Sequence, residues 1–175
     1  MRADAERNRA RVLAAAEEVL AAEGLGASMR TVAERAGVGL GTIYRHFPTQ
    51  EVLYQAIVAE RLRRLVESAA ELSFFDFFTA VVDTAARKKA LADAIADAGL
   101  DPKAGLAGIS GEMRAAIAAL LLRAQQQGVV RPDVGMPELL ALLAAASLAA
   151  ERNQWEDDLR DRTLGVIFDG LRWSG

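Results

Sequence analysis

The sequence predicts an all-α chain of 175 residues, and three observations carry that expectation. Apolar residues recur at helical rather than alternating spacing. Ala, Leu, Arg and Glu, all good helix formers, dominate the stretches between breaks. The breaks are glycines and prolines of the kind that end or open helices, and no credible strand lies between them.

The first helix is expected from Asp4 to Ala22, where Val12, Ala16, Val19, Leu20 and Ala22 approach helical spacing, and "EGLGAS" stops it. Ser28 is a good N-cap for a short helix from Met29 to Ala36, and Gly37 falls where that helix must end in a left-handed conformation. Gly39 then opens another short helix, Leu40 to Phe47, whose Ile43 and Phe47 face inward beside Val32, Ala33 and Ala36. Pro48 can open the next, from Thr49 to Leu72. Longer helices are expected from Phe74 to Ala98, Gly111 to Gln127, Pro137 to Asn153 and Trp155 to Trp173. Between the first two of these, "GLDPKAGLAGISG" is the least regular segment, a loop or a hinge. The expected division is residues 1–48, a connecting helix over 49–72, and a C-terminal helical domain over 73–175.

Composition narrows the function. Without cysteine there is no disulfide scaffold, thiolate zinc site or cysteine nucleophile, which agrees with a reducing compartment. The first residues lack a secretory apolar core, and the longest apolar run, Leu139 to Ala150, falls short of the roughly 20 residues of a membrane helix. The expectation is a soluble, cytoplasmic protein with no membrane partner. Its net charge of −3 is unevenly spread: residues 1–64 hold ten Arg against eight acids, whereas residues 65–175 hold eleven basic against sixteen acidic side chains. Only the first third can welcome a polyanion.

Gly37, Gly39 and Gly41 are spaced like part of a phosphate-cradling loop, but such a loop needs a strand in front of it, and a helical stretch stands there instead. Two short helices joined by a tight turn and braced by the first helix make a helix-turn-helix. The second presents Leu40, Gly41, Thr42, Tyr44, Arg45 and His46 outward. An Arg can fork onto guanine, a Thr hydroxyl can bond base or phosphate, and a small Gly lets the helix approach the groove closely. Each residue alone has a plainer reading as a solvated or core side chain; the constellation after Gly37 points to double-stranded DNA.

The stretch "MRTVAERAGVGLGTIYRHFPTQEVLYQAI" resembles the DNA-binding signature of the TetR family of bacterial transcription regulators, over roughly residues 8–60. The match runs through Ala33, Ala36-Gly37-Val38, Gly41-Thr42-Ile43-Tyr44, Phe47 and Leu53. The resemblance implies that Arg30, Leu40, Gly41, Thr42, Tyr44, Arg45 and His46 lie at the DNA surface, with Thr42, Tyr44 and His46 on phosphates. Two positions depart from the pattern. Gly39 stands where the family commonly has Ser or another cap, and Gln50 where it usually has a phosphate-contacting Lys.

The C-terminal part resembles the family only in architecture. "FFDFF" followed by Val81, Val82 and Ala85 makes a helix apolar on more than one side, so Phe74, Phe78 and Val82 either pack a core or line a cavity. Met113, Ile117, Leu143 and Trp155 complete the candidate ligand-binding set, while the polar candidates Arg87, Lys88 and Arg114 can equally be solvated. From Pro137 to Ala150 nearly every position is Leu or Ala, which buries a helix on several sides. The last helix carries Leu159, Leu164, Ile167, Phe168 and Leu171 with Gly165 and Gly170, which suits either a two-fold four-helix dimer interface through residues 137–173 or an internal core.

These readings converge on a homodimeric DNA-binding transcriptional regulator, a repressor of a near-palindromic operator released by a small apolar effector, with no cofactor and no metal. A ligand-independent DNA-binding or partner module is the rival. A small helical enzyme fares worse: there is one His, and the acid pairs Glu17-Glu18 and Asp157-Asp158 are adjacent on helices, so their members diverge.

Overall fold

In a computed structural model, residues 2–101, 103 and 106–173 are described. Among the described residues eight α-helices follow in order: α1 (Arg2–Glu23), α2 (Met29–Ala36), α3 (Leu40–His46), α4 (Gln50–Ser68), α5 (Phe74–Asp97), α6 (Ala107–Gln126), α7 (Met136–Asn153) and α8 (Asp157–Leu171), with a 3₁₀ turn over Gly24–Gly26. Among the described residues the only β pairing is the antiparallel bridge between Val130 and Arg172. No described helix is long and apolar enough to cross a membrane.

The chain forms two compact units, one of Met1–Glu60 with Ala90–Gly105 and one of Arg61–Lys89 with Leu106–Gly175, so α4 and α5 each contribute to both. In the first unit, Val12, Ala16 and Val19 of α1 are buried with Val32, Ile43, Phe47, Leu53 and Ile57. Leu20 is only half-buried and Ala22 is exposed, so the stripe expected on α1 ends near Val19. In the second unit a single core joins Phe77, Phe78 and Val82 of α5 to Ile117, Leu120 and Leu121 of α6, Leu139 and Leu143 of α7, and Leu164 and Leu171 of α8.

Local chemistry fixes the helix ends. Ser28 Oγ accepts from the Thr31 amide at 3.1 Å, and Gly37 ends α2 at φ 63°, ψ 39°, its N–H turned back to the Ala33 and Glu34 carbonyls. Thr49, rather than Pro48, caps α4, accepting from Val52 N at 3.3 Å. Ser73 Oγ accepts from Asp76 N at 3.2 Å at the start of α5, and Glu138 reaches back to the Gly135 amide at 3.0 Å at the start of α7.

Several helix ends differ from expectation by one or two residues, and two differ by four: α4 stops at Ser68 rather than Leu72, and α6 starts early. α6 begins at Ala107 and runs through Gly108 and Gly111, so part of the segment read as loop or hinge is helical. Leu106 and Ile109 are buried, and Ser110 Oγ donates to Leu106 O at 2.9 Å; this anchored first turn outweighs two glycines that disfavour a helix by about 1 kcal/mol each. Pro102, Ala104 and Gly105 of that segment lie outside the described residues.

Candidate nucleic-acid interface and apolar cavity

Ile43 is fully buried and Phe47 nearly so, which fixes the rotation of α3. The opposite face is then set: Gly41, Tyr44 and Arg45 are exposed, and Leu40, Thr42 and His46 are half-buried. Tyr44 is 47% exposed, a large aromatic left in water. Arg30 is exposed on α2. Among the described residues, Arg30, Thr42, Tyr44 and Arg45 have no side-chain hydrogen bond or ion pair, so their donors are available to phosphate and base edges. A Cβ added at Gly41 would meet nothing within 4 Å, so this glycine keeps the α3 surface low rather than filling a tight space in the chain.

Supporting residues hold this face in place, and of these sequence reasoning singled out only Gln50, for a different role. Arg11 of α1 donates through Nη2 to Ala36 O at 2.7 Å and to Gly37 O at 3.4 Å, pinning the turn between α2 and α3. Arg9 lies over the Phe47 ring, 5.8 Å from its centroid. Gln50 Nε2 donates to Ala27 O at 2.7 Å and to the Tyr54 hydroxyl, and Tyr54 Oη donates to Leu25 O at 3.1 Å. Burial pushes the Tyr54 phenol above its ordinary pKa, while the Gln50 hydrogen bond opposes this, so Tyr54 keeps its proton and its donor at neutral pH. Gln50 therefore has a structural task of its own: it ties the first turn of α4 to the chain entering α2.

The seven residues expected to line a ligand site do come together in the second unit. Phe74, Phe78, Val82, Ile117 and Leu143 are buried, and Met113 and Trp155 pack half-buried against them. They are packed closed: the void among Phe74, Phe77, Phe78, Ile117, Leu120 and Leu143 is ≈10 Å³, about the room one water needs. Arg87 and Arg114 are exposed, and the Lys88 side chain lies outside the described residues. One polar tie across this unit is Arg160, which donates to Asp83 of α5 at 2.9 Å and to Asp157 at 2.8 Å.

The last two helices divide differently from the expected dimer stripe. Leu164 and Leu171 are buried in the chain's own core, and Ile167 and Phe168 pack half-buried against it. The reason is the Phe cluster on α5: Phe168 stands 4.6 Å from the Phe75 ring centroid and 5.4 Å from that of Phe78. What α7 and α8 leave exposed is Leu148, Leu159 and Val166, followed by Trp173. Gly165 and Gly170 have nothing within 4 Å of an added Cβ, so no packing inside the chain accounts for them.

Residues 12–57 match the family model for bacterial regulatory proteins of the tetR family, and residues 69–173 match that for the C-terminal domain of SbtR-like transcriptional regulators. The crystal structure of a TetR transcription regulatory protein from Mycobacterium vanbaalenii is 41% identical, with a TM-score of 0.76 over 98% of each chain. That of the TetR regulator SCO0520 from Streptomyces coelicolor is 32% identical, with a TM-score of 0.72 over 95% of this chain and 99% of its own. The HTH-type transcriptional regulator UidR of Escherichia coli K12 is 25% identical over 146 residues, 77% of this chain and 74% of UidR.

Proposed function

Since the chain belongs to the TetR family of bacterial transcription regulators, we propose that it is a homodimeric repressor whose two α3 helices read a near-palindromic operator and which a small, largely apolar effector releases. The observation that carries the DNA-reading part is the α3 face. Ile43 and Phe47 fix the helix from behind, and Thr42, Tyr44 and Arg45 stand in front with their donors unused. Arg45 reads a base, and Thr42, Tyr44 and His46 hold phosphates.

Dimerisation through residues 137–173 is supported by the apolar side chains that α7 and α8 leave in water and by the two unexplained glycines of α8. Two copies bring two α3 helices to half-sites about one helical turn apart. The effector reading rests on the aromatic core of the second unit, where Phe74, Phe78, Val82, Met113, Ile117, Leu143 and Trp155 converge. Its closure favours one rival specifically: a core with room for a single water suits a ligand-independent regulator. An effector must open that core, and it releases DNA only through its difference in affinity between two dimer states.

Footprinting on the DNA flanking the chain's own gene tests the reading. Two protected half-sites related by approximate two-fold symmetry are expected, with protection lost on adding an active effector. One unsymmetric patch would rule out the dimeric reader, and protection that withstands a broad screen of apolar compounds would favour the ligand-independent regulator.

A further inference from the structure

Beside the closed core, the second unit has an open cleft of ≈440 Å³ between the α4–α5 turn and the end of α6. That volume lies within the range of about 300–1,000 Å³ typical of small-molecule sites. Leu72, Phe74 and Leu120 supply apolar wall, while Arg123, Gln127 and Glu71 supply the polar part. Phe74 and Leu120 also line the inner void, so one wall separates the two spaces.

Arg123 is the distinctive group. Its Nη2 donates to Leu72 O at 2.9 Å and to Ala69 O at 3.3 Å, which fixes the guanidinium in place. Carbonyl partners do not neutralise a cation, and Arg123 has no ion pair among the described residues. Its Nε and Nη1 hydrogens remain for a ligand oxygen. Glu71 is exposed on the rim, where water and salt screen its charge. A half-buried, immobilised and uncompensated guanidinium on a part-apolar cleft selects a carboxylate attached to an apolar body.

We propose that this cleft binds the carboxylate head of an amphipathic effector, with Arg123 as its counter-ion and the apolar part passing Phe74 and Leu120 into the core void. This deepens the effector reading and rests on it. It also answers the closed core: the head docks in a space already open, and only the tail has to part the wall.

Decanoate and decanol, which share a tail length and differ in the head, separate the possibilities. Calorimetric titration of the full-length protein should show decanoate binding at least about tenfold more tightly than decanol, a difference of about 1.4 kcal/mol. Arg123→Gln, which keeps amide donors for the turn carbonyls, should abolish that preference, and Arg123→Lys should retain most of it. Gln127→Glu, a change at an exposed position, should weaken decanoate and spare decanol without moving the melting temperature. The proposal is overturned if decanoate does not bind, if the two ligands bind equally, or if the preference survives both Arg123→Gln and Gln127→Glu. Decanoate that binds as described but leaves the operator complex intact keeps this site and ends the release mechanism. Release by decanol with no dependence on Arg123 does the opposite.

Discussion

On the proposed DNA-reading function, single side chains on α3 divide into those that read and those that position. Arg45 is exposed and unpartnered among the described residues, so Arg45→Ala is expected to relax preference at one operator base pair, a loss of about 1–3 kcal/mol of discrimination. Binding to an operator library checks this; uniform weakening over all sequences would make Arg45 a phosphate contact. His46→Ala should lower affinity with little change in preference. Gln50 illustrates what sequence could and could not convey. Its departure from the family's Lys is visible in the string, but its bond to Ala27 O spans 23 positions, and nothing local announces it. Arg11 escapes in the same way, since one Arg among several on α1 looks like any solvated charge until the Ala36 carbonyl is found 2.7 Å away. Gln50→Lys should therefore do two things at once. It breaks the tie to Ala27 and Tyr54, lowering stability by about 1 kcal/mol, and it adds a phosphate contact that steepens the salt dependence of DNA binding by about one counter-ion. Thermal melts and affinities across a salt series measure the two effects separately, and an unchanged salt slope would mean that position 50 does not face the backbone.

At the scale of elements, legibility followed how local the determining physics is. The ends of α2 could be read because Ser28 and Gly37 act within one turn: the hydroxyl caps the third amide, and the positive φ is one that glycine adopts freely. The start of α6 could not, because two glycines argue against a helix while burial of Leu106 and Ile109, a tertiary effect, argues for it and wins. The stripe on α8 was legible as apolar, but periodicity does not say whether a partner or the chain's own α5 covers it; Phe75 and Phe78 take Phe168. One helix end has room for improvement. α7 closes at Gln154, a non-glycine held at φ 47°, ψ 55°, with its N–H turned back to Ala150 O. That conformation costs a side-chain-bearing residue roughly 1–2 kcal/mol, and glycine gives back about 0.5–1 kcal/mol in unfolded-state entropy. Gln154→Gly is thus expected to stabilise by about 0.5–1 kcal/mol, read as a higher denaturation midpoint at unchanged slope; a lower midpoint would show that the Gln154 side chain has an unrecognised stabilising task.

For the whole molecule, the decisive distinction is between apolar surface that builds the fold and apolar surface left in water, which the proposed dimer would cover. Leu171 is 3% exposed, so a charge there would strike the chain's own core and report on folding rather than on association. Val166 is 75% exposed on the same helix, one residue from Gly165 and four from Gly170, whose missing side chains leave the α8 backbone open to close approach. Leu148 and Leu159 are likewise exposed on these two helices. Val166→Asp should leave the monomer's stability within about 0.5 kcal/mol, as surface substitutions generally do, while placing a desolvated charge in a dimer interface. Sedimentation at micromolar concentration is expected to show the parent chain as a dimer and Val166→Asp as a folded monomer. Operator affinity should fall with it, because a monomer loses the second half-site and binds with one α3 helix alone. The pairing of the two readouts matters. A variant that stays dimeric would move the interface away from this face of α8, and one that becomes monomeric yet binds the operator with undiminished affinity would show that dimerisation is not what brings two reading helices to the DNA.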